Sequence, residues 1–392
     1  MATIIGSPVA GKLQPVVIYE PLSIGRQIID ETLAIKATSL QSVKQVFGNY
    51  WQLKFTYSPP RDIIEDWIQN GLFRHIEMYT RGLEIGWEGF VDQIQTNIGG
   101  LTIGVGPALD IGNKVCCEYS YVDTTISPPA MGKRDFTDWY ESAESQAKYG
   151  LTLEKVLSVG GAAPGVPDQI VQTALQDIQW AQTQEQDNVN AQSHPSVTIT
   201  ALGYIHLAKA YTYTSTDTGA QDASAKMTAL IAEDPNGIYS SDVNYIDENT
   251  TQVKAYENDR APAWGLLRAI TAKGDASFNR WMFGFNRGRV PYYRAIPTEY
   301  AYSRSLYSRG VPLTNYRSGD PVDFFDIDAG RWAFYSDILV GREQATDDLR
   351  TDPRSLFIES AVFMAPNDLN MIGGRVTSLD QFMAQLGLGG IG

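Results

Sequence analysis

The alternation of apolar and polar residues predicts a strand, a helix and a strand meander in the first third of the chain. Residues 52–57 (QLKFTY) alternate with period two, which is typical of a half-buried strand. Pro59-Pro60 ends that strand, and apolar residues then recur at helical spacing as far as Asn70-Gly71. We expect this helix to pack on the sheet through one apolar stripe, Ile63, Ile64, Trp67 and Ile68. Three strands are predicted after it, at residues 73–79, 83–91 and 99–105.

The pattern changes after Pro128-Pro129, where helices and a loop replace the meander. Residues 135–149 (DFTDWYESAESQAKY) predict a helix that Gly150 ends. A second helix is predicted from Asp168 to about residue 185, because its apolar residues share one face. Residues 182–192 are mostly polar and predict a loop.

Strand character returns in the second half of the chain. Residues 196–201 alternate, and residues 278–302 combine a strand pattern with many aromatic residues and arginines. The chain has 21 Tyr, 14 Phe and 8 Trp, and such side chains suit a pleated, half-buried surface. With 392 residues it is long for a single core, so we expect about two or three domains. These features predict a β-rich α+β protein.

Composition and charge restrict the classes of function. The formal net charge of −14 argues against a nucleic-acid binder with a basic surface and against contact with anionic membranes. Cys116 and Cys117 are the two cysteines, and as strand neighbours they are not expected to form a disulfide. The first residues (MATIIGSPVAGKLQPVVIYE) lack the pattern of a signal peptide, and the chain has no apolar run of membrane-spanning length. We therefore expect a soluble protein made in the cytoplasm, without membrane insertion.

Nucleophilic catalysis has few possible participants, because the chain has 3 histidines. His75 shares a strand face with Glu77, which predicts a structural histidine satisfied by that carboxylate. His194 lies in a polar segment and is predicted to be exposed, and His206 follows a strand. No Gly-x-Ser-x-Gly nucleophile elbow accompanies any of them. We predict no catalytic residues and no enzymatic activity.

Metal and cofactor sites are not predicted either. The chain has no Cys-x-x-Cys motif and no paired histidines, which argues against zinc. The carboxylates of residues 320–328 (DPVDFFDID) could surround Ca²⁺, but an acidic surface loop is favoured because the glycine and terminal glutamate of an EF-hand are missing. No glycine-rich segment continues into the Lys-Ser/Thr pair of a phosphate-binding loop. Paired carboxylates for glycoside hydrolysis stay open, since the sequence does not give the separations among 45 acidic side chains.

One local concentration of arginines is interleaved with aromatic residues between residues 280 and 317. Arginine and aromatic side chains are enriched where protein interfaces derive most of their energy, so one interpretation is an interaction surface. The other interpretation is arginines stacked over strand aromatics of the same chain. Both stay open. The interface candidates are Arg280, Trp281, Arg287, Arg289, Tyr292, Tyr293, Arg294, Tyr300 and Tyr302.

Several of these segments resemble the N-terminal barrel of tail-tip hub proteins from long-tailed bacteriophages. The resemblance rests on residues 51–55 (WQLKF), on residues 71–79 (GLFRHIEMY) with their H-x-E-x-Y pattern, and on residues 87–91 (WEGFV). Residues 197–211 (VTITALGYIHLAKAY) resemble the step that resumes the hub barrel after an insertion. Residues 281–302 (WMFGFNRGRVPYYRAIPTEYAY) resemble a later strand pair. The similarity covers about half of the chain and does not extend to residues 126–195.

The resemblance implies a domain order. Residues 1–125 would form a tube-like β-barrel domain, completed by residues 196–215, and residues 126–195 would be a helical insertion. Residues 216–392 would form a second α+β domain with the aromatic and arginine-rich strands. Trp51, Trp67 and Trp87 are predicted to hold the first domain together.

The resemblance also implies a function as the structural hub of a virion tail tip, assembled in the host cytoplasm as a homotrimer. Its partners would be the tail tube or a distal tail protein on one side and tail-tip or fibre proteins on the other. DNA would pass through the lumen without specific binding. Three copies, each with a formal net charge of −14, would carry −42 between them. Carboxylates facing the lumen would repel DNA within a Debye length of about 8 Å.

Two alternatives stay open. A distal tail protein of the same assembly also begins with a tube-like barrel, but it forms a hexameric ring. A β-rich glycan-binding or glycan-degrading protein would use aromatic residues to stack on sugars.

Overall fold

The computed structural model describes fourteen stretches of the chain, some of them a single residue. They are residues 16–21, 39–79, 84–123, 127, 129–160, 166–187, 194–214, 219–254, 260–305, 314–320, 322, 327–336, 355–365 and 369–375.

The strands of the first half are β1 (Val16–Tyr19), β2 (Ser39–Gln45), β3 (Gly48–Tyr57), β4 (His75–Tyr79), β5 (Ile85–Ile98), β6 (Leu101–Val105), β7 (Lys114–Asp123), β8 (Ala130–Phe136), β9 (Tyr140–Glu141), β10 (Glu154–Val159), β11 (Thr183–Asp187) and β12 (Ser196–Leu202). The later strands are β13 (Thr212–Tyr213), β14 (Gln221–Asp222), β15 (Gln252–Val253), β16 (Ala261–Pro262), β17 (Trp281–Asn286), β18 (Val290–Ala295), β19 (Tyr300–Ser305), β20 (Thr314–Asn315), β21 (Arg331–Ser336), β22 (Ser355–Ala365) and β23 (Leu369–Arg375). The α-helices are α1 (Arg61–Asn70), α2 (Ala143–Tyr149), α3 (Val166–Ile178), α4 (Ala223–Ala232) and α5 (Ala263–Lys273), and 3₁₀ turns cover Ala108–Asp110, Tyr204–Lys209 and Arg287–Arg289.

The fold is β-rich α+β, as the sequence predicts. A 15-stranded sheet curls into a half-barrel, with the main strand order β1-β4-β5-β12-β3-β2-β22-β21-β19-β20. Across the described strands this path is open, since no pairing joins β1 to β20. A smaller sheet, β10-β7-β8 with β9 beside β7, packs against α3 through a separate apolar cluster around Val115 and Val171.

The central strand of the half-barrel arrives late in the chain. β12 pairs antiparallel with β3 on one side and with β5 on the other. β5 is 14 residues long, so it pairs with β4 near its start and with β6 near its end. The β12–β5 register shifts between Thr200 and Ala201, opposite Asp92, and such a bulge increases local twist and bends the sheet.

One face of this sheet forms the largest apolar core. Alternate residues of β3, β12 and β5 point into it, with Phe55, Ile199 and Ile94 each at most 1% exposed. Helix α1 covers the core as predicted: Ile64 and Trp67 are buried and Ile63 and Ile68 are half-buried. The largest side chains with less than 2% exposure include Trp87, Phe73 and Phe90.

Two local predictions after Pro129 are wrong in extent. The helix predicted for residues 135–149 begins at Ala143, where the Ser142 side chain accepts a hydrogen bond from the Ser145 N–H at 3.3 Å. Residues before it pair with β7 as β8 and β9 instead, because an available strand edge overrides a weak helical pattern. The helix predicted from Asp168 ends at Ile178, not near residue 185.

The predicted loop at residues 182–192 is also wrong for the part that the structure describes. Thr183–Asp187 forms β11, which pairs antiparallel with β6 although its five residues are all exposed. Backbone hydrogen bonds to the edge of β6 therefore define this strand, and no apolar alternation marks it. Within the predicted helical insertion, the described residues 129–160 and 166–187 thus contain α2 and α3 together with four strands.

A buried hydrogen bond ties α1 to the sheet and gives a testable prediction. The indole Nε1–H of Trp67 donates to the Tyr57 hydroxyl at 2.5 Å. Tyr57→Phe would leave this donor buried without that acceptor, and we expect the free energy of unfolding to fall by about 1–2 kcal/mol. Urea unfolding followed by tryptophan fluorescence measures the change. Tyr245→Phe is the control, because the Tyr245 side chain is 54% exposed. Equal stabilities of the two variants would contradict the prediction.

Candidate functional site

The opposite face of the half-barrel is open and consists mainly of amide and hydroxyl side chains. The outward residues of β12 are Thr198 and Thr200, which lie opposite Thr56 and Lys54 of β3. The Thr56 and Thr198 hydroxyl oxygens are 2.8 Å apart and hydrogen-bonded across the strands. We call this surface the amide face, and its members are Lys54, Thr56, Gln93, Gln95, Thr102, Gln184, Gln186, Thr198 and Thr200.

The amide face contains a shallow open groove of about 700 Å³. Among the described residues that line it, Lys54 and Glu185 are the charged ones and none is aromatic. A chain with 45 acidic and 31 basic residues therefore presents here a broad surface of nearly neutral character. Amides and hydroxyls of this kind hydrogen-bond to water or to a polar ligand, but they supply neither a nucleophile with its base nor a stacking platform for sugars.

A second polar feature is buried where β1, β4 and β5 meet. His75 donates or accepts through Nδ1 to the Tyr204 hydroxyl at 2.7 Å, and its Nε2 lies 3.0 Å from Glu77 Oε1. The hydroxyls of Tyr19 and Tyr79 both donate to Glu77 Oε2, at 2.8 and 2.6 Å. The H-x-E-x-Y residues are thus one hydrogen-bonded unit, and the predicted contact of His75 with Glu77 is confirmed.

Glu88 of β5 lies directly opposite Glu77 of β4 in the strand register. Its Oε1 accepts the backbone N–H of Arg289 at 2.7 Å, whereas its Oε2 is buried without a hydrogen-bond partner. Its ion-pair partner is Arg289 Nη1 at 3.9 Å, a buried atom that makes no hydrogen bond. We call His75, Glu77 and Glu88, with the side chains that contact them, the His75 cluster.

The two carboxylates of the cluster have opposite pKa shifts. Burial opposes ionisation of Glu77, but hydrogen bonds from His75 and the two tyrosines outweigh it and lower its pKa to about 2. Burial dominates at Glu88 and raises its pKa despite the nearby Arg289. Desolvation and the hydrogen bond to Glu77 raise the pKa of the Tyr19 hydroxyl. Glu77 is therefore an ionised acceptor, whereas burial disfavours the charged form of Glu88.

The His75 cluster is poorly placed for catalysis on an external substrate. His75 and Glu88 are each 1% exposed and Glu77 is 6% exposed. One ligand atom from each of these three residues lies within 4.8 Å of the others, which is the spacing of a metal site. The cluster is thus able to hold a cation or a shared proton in the interior of the half-barrel.

The aromatic interface candidates lie inside the chain. Trp281, Tyr292, Tyr293, Tyr300 and Tyr302 are all at most 8% exposed. The Trp281 and Tyr293 rings pack at 4.5 Å, and the Trp281 indole N–H donates to Asp275 at 3.0 Å. The Tyr302 hydroxyl accepts the backbone N–H of Asp328. These aromatics therefore pack within the chain and stabilise β17, β18 and β19.

The arginine candidates divide between the surface and the interior. Arg280 and Arg287 are exposed, with Arg280 over the Phe357 ring at 4.9 Å and Arg287 paired with Glu84 at 3.0 Å. Arg294 is half-buried over the Tyr292 ring at 5.1 Å. Stacking over strand aromatics of the same chain thus accounts for much of this segment. An interface role for Arg280 and Arg287 stays a prediction.

The other sequence candidates have simple positions. His194 is exposed, as predicted, and Cys116 and Cys117 are buried free thiols. His206 is 3% exposed and its ring lies against Trp51 at 4.4 Å and Trp264 at 5.2 Å. Most of residues 320–328 lies outside the described residues. Within the described helices, none is long and apolar enough to cross a membrane.

The His75 cluster contains residues that sequence reasoning missed. Glu88 meets Glu77 through strand register, and Tyr204 and Arg289 arrive from 3₁₀ turns more than 100 residues away in sequence. The H-x-E-x-Y pattern beside W-E-G was the available signal, because two glutamates on facing strand positions bring two carboxylates together.

Comparison with known proteins gives a structural likeness at low sequence identity. No family model matches the chain, and no curated protein sequence matches it. A similar solved structure is the prophage MuSo2 43 kDa tail protein from Shewanella oneidensis, at 8% sequence identity and a TM-score of 0.37. The alignment covers 92% of this chain and 96% of that one.

Proposed function

We propose that this chain is a structural component of a phage tail, and within the tail the hub of the tip. One observation carries the proposal: the first four segments that resemble hub proteins are neighbours in a single sheet. Residues 71–79, 87–91, 197–202 and 51–55 fall on β4, β5, β12 and β3, which are adjacent in that order. A motif set scattered in sequence but contiguous in the fold is what a shared architecture requires. The proposal does not rest on the solved tail protein, whose TM-score is 0.37.

The polar groups of the described residues support a structural role and not an enzymatic one. His75 is engaged with Glu77 and Tyr204, and His206 is enclosed by tryptophan rings. The groove of the amide face offers no nucleophile paired with a base. We therefore propose no catalytic activity.

Self-assembly is supported by an unfinished sheet edge. In the described part of the chain β11 pairs with β6 alone, and its five residues are exposed. An exposed edge strand is ready to pair with another chain, and closed rings remove such edges. We propose that copies of this chain associate in a ring of three, with further tail proteins above and below it.

Two linings are possible for the central channel of such a ring. Acidic residues facing the lumen would repel DNA, as the net charge suggests. If the amide face lines the lumen instead, the lining is nearly neutral and DNA passes because it meets few charges of either sign. Electron cryo-microscopy of the assembled tip distinguishes the two from the residues that face the channel.

The oligomeric state and the position in the particle test the proposal. Native mass spectrometry of the purified chain, alone and with neighbouring tail proteins, is expected to give three copies. Six copies would favour the distal tail protein. A tag fused to the chain is expected to be seen only at the tail tip by electron microscopy. A tag along the whole tail, or absent from particles, would contradict a tip component.

The groove of the amide face is the one observation that favours the glycan-binding alternative, because amides and hydroxyls hydrogen-bond to sugars. None of the described residues that line the groove is aromatic, so the groove offers no stacking platform for a sugar, and this argues against the glycan-binding alternative. On a glycan array the protein is expected to bind no better than Gln93→Ala. Binding that Gln93→Ala abolishes would favour the alternative.

A further inference from the structure

The His75 cluster places two carboxylates opposite each other in a buried sheet. Glu77 and Glu88 are cross-strand partners, and like charges at such positions repel each other. Removed from water, a pair of ionised carboxylates is stabilised by a nearby positive charge. Among the described residues, Arg289 is the cation that pairs with these carboxylates, and its Nη1 lies 3.9 Å from Glu88 Oε2 without making a hydrogen bond. Compensation within the chain is thus incomplete.

Each of the three central residues has one polar atom held by a residue outside the trio and a second polar atom that this contact leaves available. His75 is held at Nδ1 by Tyr204, and Glu77 is held at Oε2 by two tyrosine hydroxyls. Glu88 is held at Oε1 by the Arg289 backbone, and its Oε2 is buried without a hydrogen bond. Metal ligands are oriented in this way by surrounding hydrogen bonds.

We propose that His75 Nε2, Glu77 and Glu88 bind one Zn²⁺ in the interior of the half-barrel. An imidazole with two carboxylates suits zinc, which takes nitrogen and oxygen ligands at about 2.0–2.2 Å in a tetrahedral arrangement. Tetrahedral ligands at that distance are about 3.4 Å apart. The His75–Glu77 separation of 3.0 Å and the limit of 4.8 Å for all three atoms bracket this value. Small side-chain movements therefore complete the site.

A water molecule would supply the fourth ligand. Among the described residues, Arg289 Nη1 makes no hydrogen bond and could donate one to this water. The site would be structural, because its ligands are at most 6% exposed.

The wild-type protein gives the first test. Full-length protein freed of metal with a chelator is titrated with Zn²⁺ against a chromophoric competitor. We expect one equivalent to bind and to raise the unfolding temperature. Co²⁺ in its place is expected to give the visible absorption of a four-coordinate nitrogen and oxygen site. Failure to bind either metal, or the spectrum of an octahedral surface ion, would overturn the proposal without any variant.

Variants locate the metal. Glu88→Gln is expected to weaken zinc binding at least 100-fold, since it removes a charged ligand. Tyr204→Phe, which loosens His75, is expected to weaken it about 10-fold. Asp92→Asn is the matched control, a buried carboxylate 5% exposed on the same strand, and should bind zinc as the wild type does. Unchanged affinity in both Glu88→Gln and Tyr204→Phe would overturn the proposal.

Discussion

Replacing Gly203 by alanine is expected to destabilise the protein by about 3 kcal/mol or more. A Cβ atom on Gly203 would lie 1.7 Å from the carbonyl oxygen of Tyr50, which is a backbone atom and cannot rotate away. The Gly203 N–H also donates to the Trp51 carbonyl at 3.1 Å, so the end of β12 and β3 must separate to admit the methyl group. The affected junction holds the central strand of the half-barrel.

Urea unfolding measures this change, and Gly265→Ala is its control. Gly265 is exposed within α5, and a Cβ there would meet no atom within 4 Å. Alanine is favoured over glycine in a helix by about 1 kcal/mol, so this variant is expected to be more stable than the wild type. Replacing glycine by alanine thus lowers the stability at position 203 and raises it at position 265. A Gly203→Ala protein as stable as the wild type would contradict the close approach of Gly203 to the Tyr50 carbonyl oxygen.

Acidification is expected to destabilise the protein through His206. Burial lowers the pKa of this imidazole to about 3, and the ammonium of Lys209 acts in the same direction. The unfolded chain has an ordinary histidine pKa of about 6.5. Below that pH the His206 imidazole binds a proton in the unfolded state but stays neutral in the folded state. The contribution of neutral His206 to the free energy of unfolding is therefore complete above pH 6.5 and decreases toward pH 3. About 3 kcal/mol of it is lost by pH 4.5.

A pair of variants isolates this contribution from the carboxylates, which titrate in the same range. His206→Phe keeps an aromatic ring between Trp51 and Trp264 but has no proton to gain. Its stability relative to the wild type should improve by about 3 kcal/mol between pH 7.5 and pH 4.5. His194→Phe, at an exposed position, should follow the wild type at both pH values. Parallel pH profiles for all three proteins would contradict a buried neutral His206.

Local pattern was sufficient to predict the elements that build the half-barrel. Residues 52–57 alternate because one face of β3 is buried and the other belongs to the amide face. Helix α1 is bounded by Pro60 and Gly71, as predicted, because its ends depend on local backbone chemistry. The β-rich α+β class follows from such segments, since each is specified by its own residues.

Elements defined by distant partners could not be predicted in this way. β11 is a strand because β6 offers it a backbone edge, and its residues carry no apolar alternation. The burial of Tyr293 depends on Ile246 and Asn249, which are distant in sequence, so composition alone left open whether the arginine and aromatic segment is surface or core. The His75 cluster was missed for the same reason: the Glu77–Glu88 pairing is a property of register and not of composition.

Because β12 follows β3, β4 and β5 by about 100 residues or more in the chain, the half-barrel cannot be completed until late in synthesis. A ribosome has synthesised β3, β4 and β5 well before it reaches residues 196–202, which join them. Until then, β3 and β5 each expose a long edge with unpaired backbone groups, and such edges associate with other chains. The sheet thus depends on contacts of high sequence separation, which close slowly. Fragments ending before residue 202 should aggregate, and productive folding should depend on protection of the growing chain until that strand emerges.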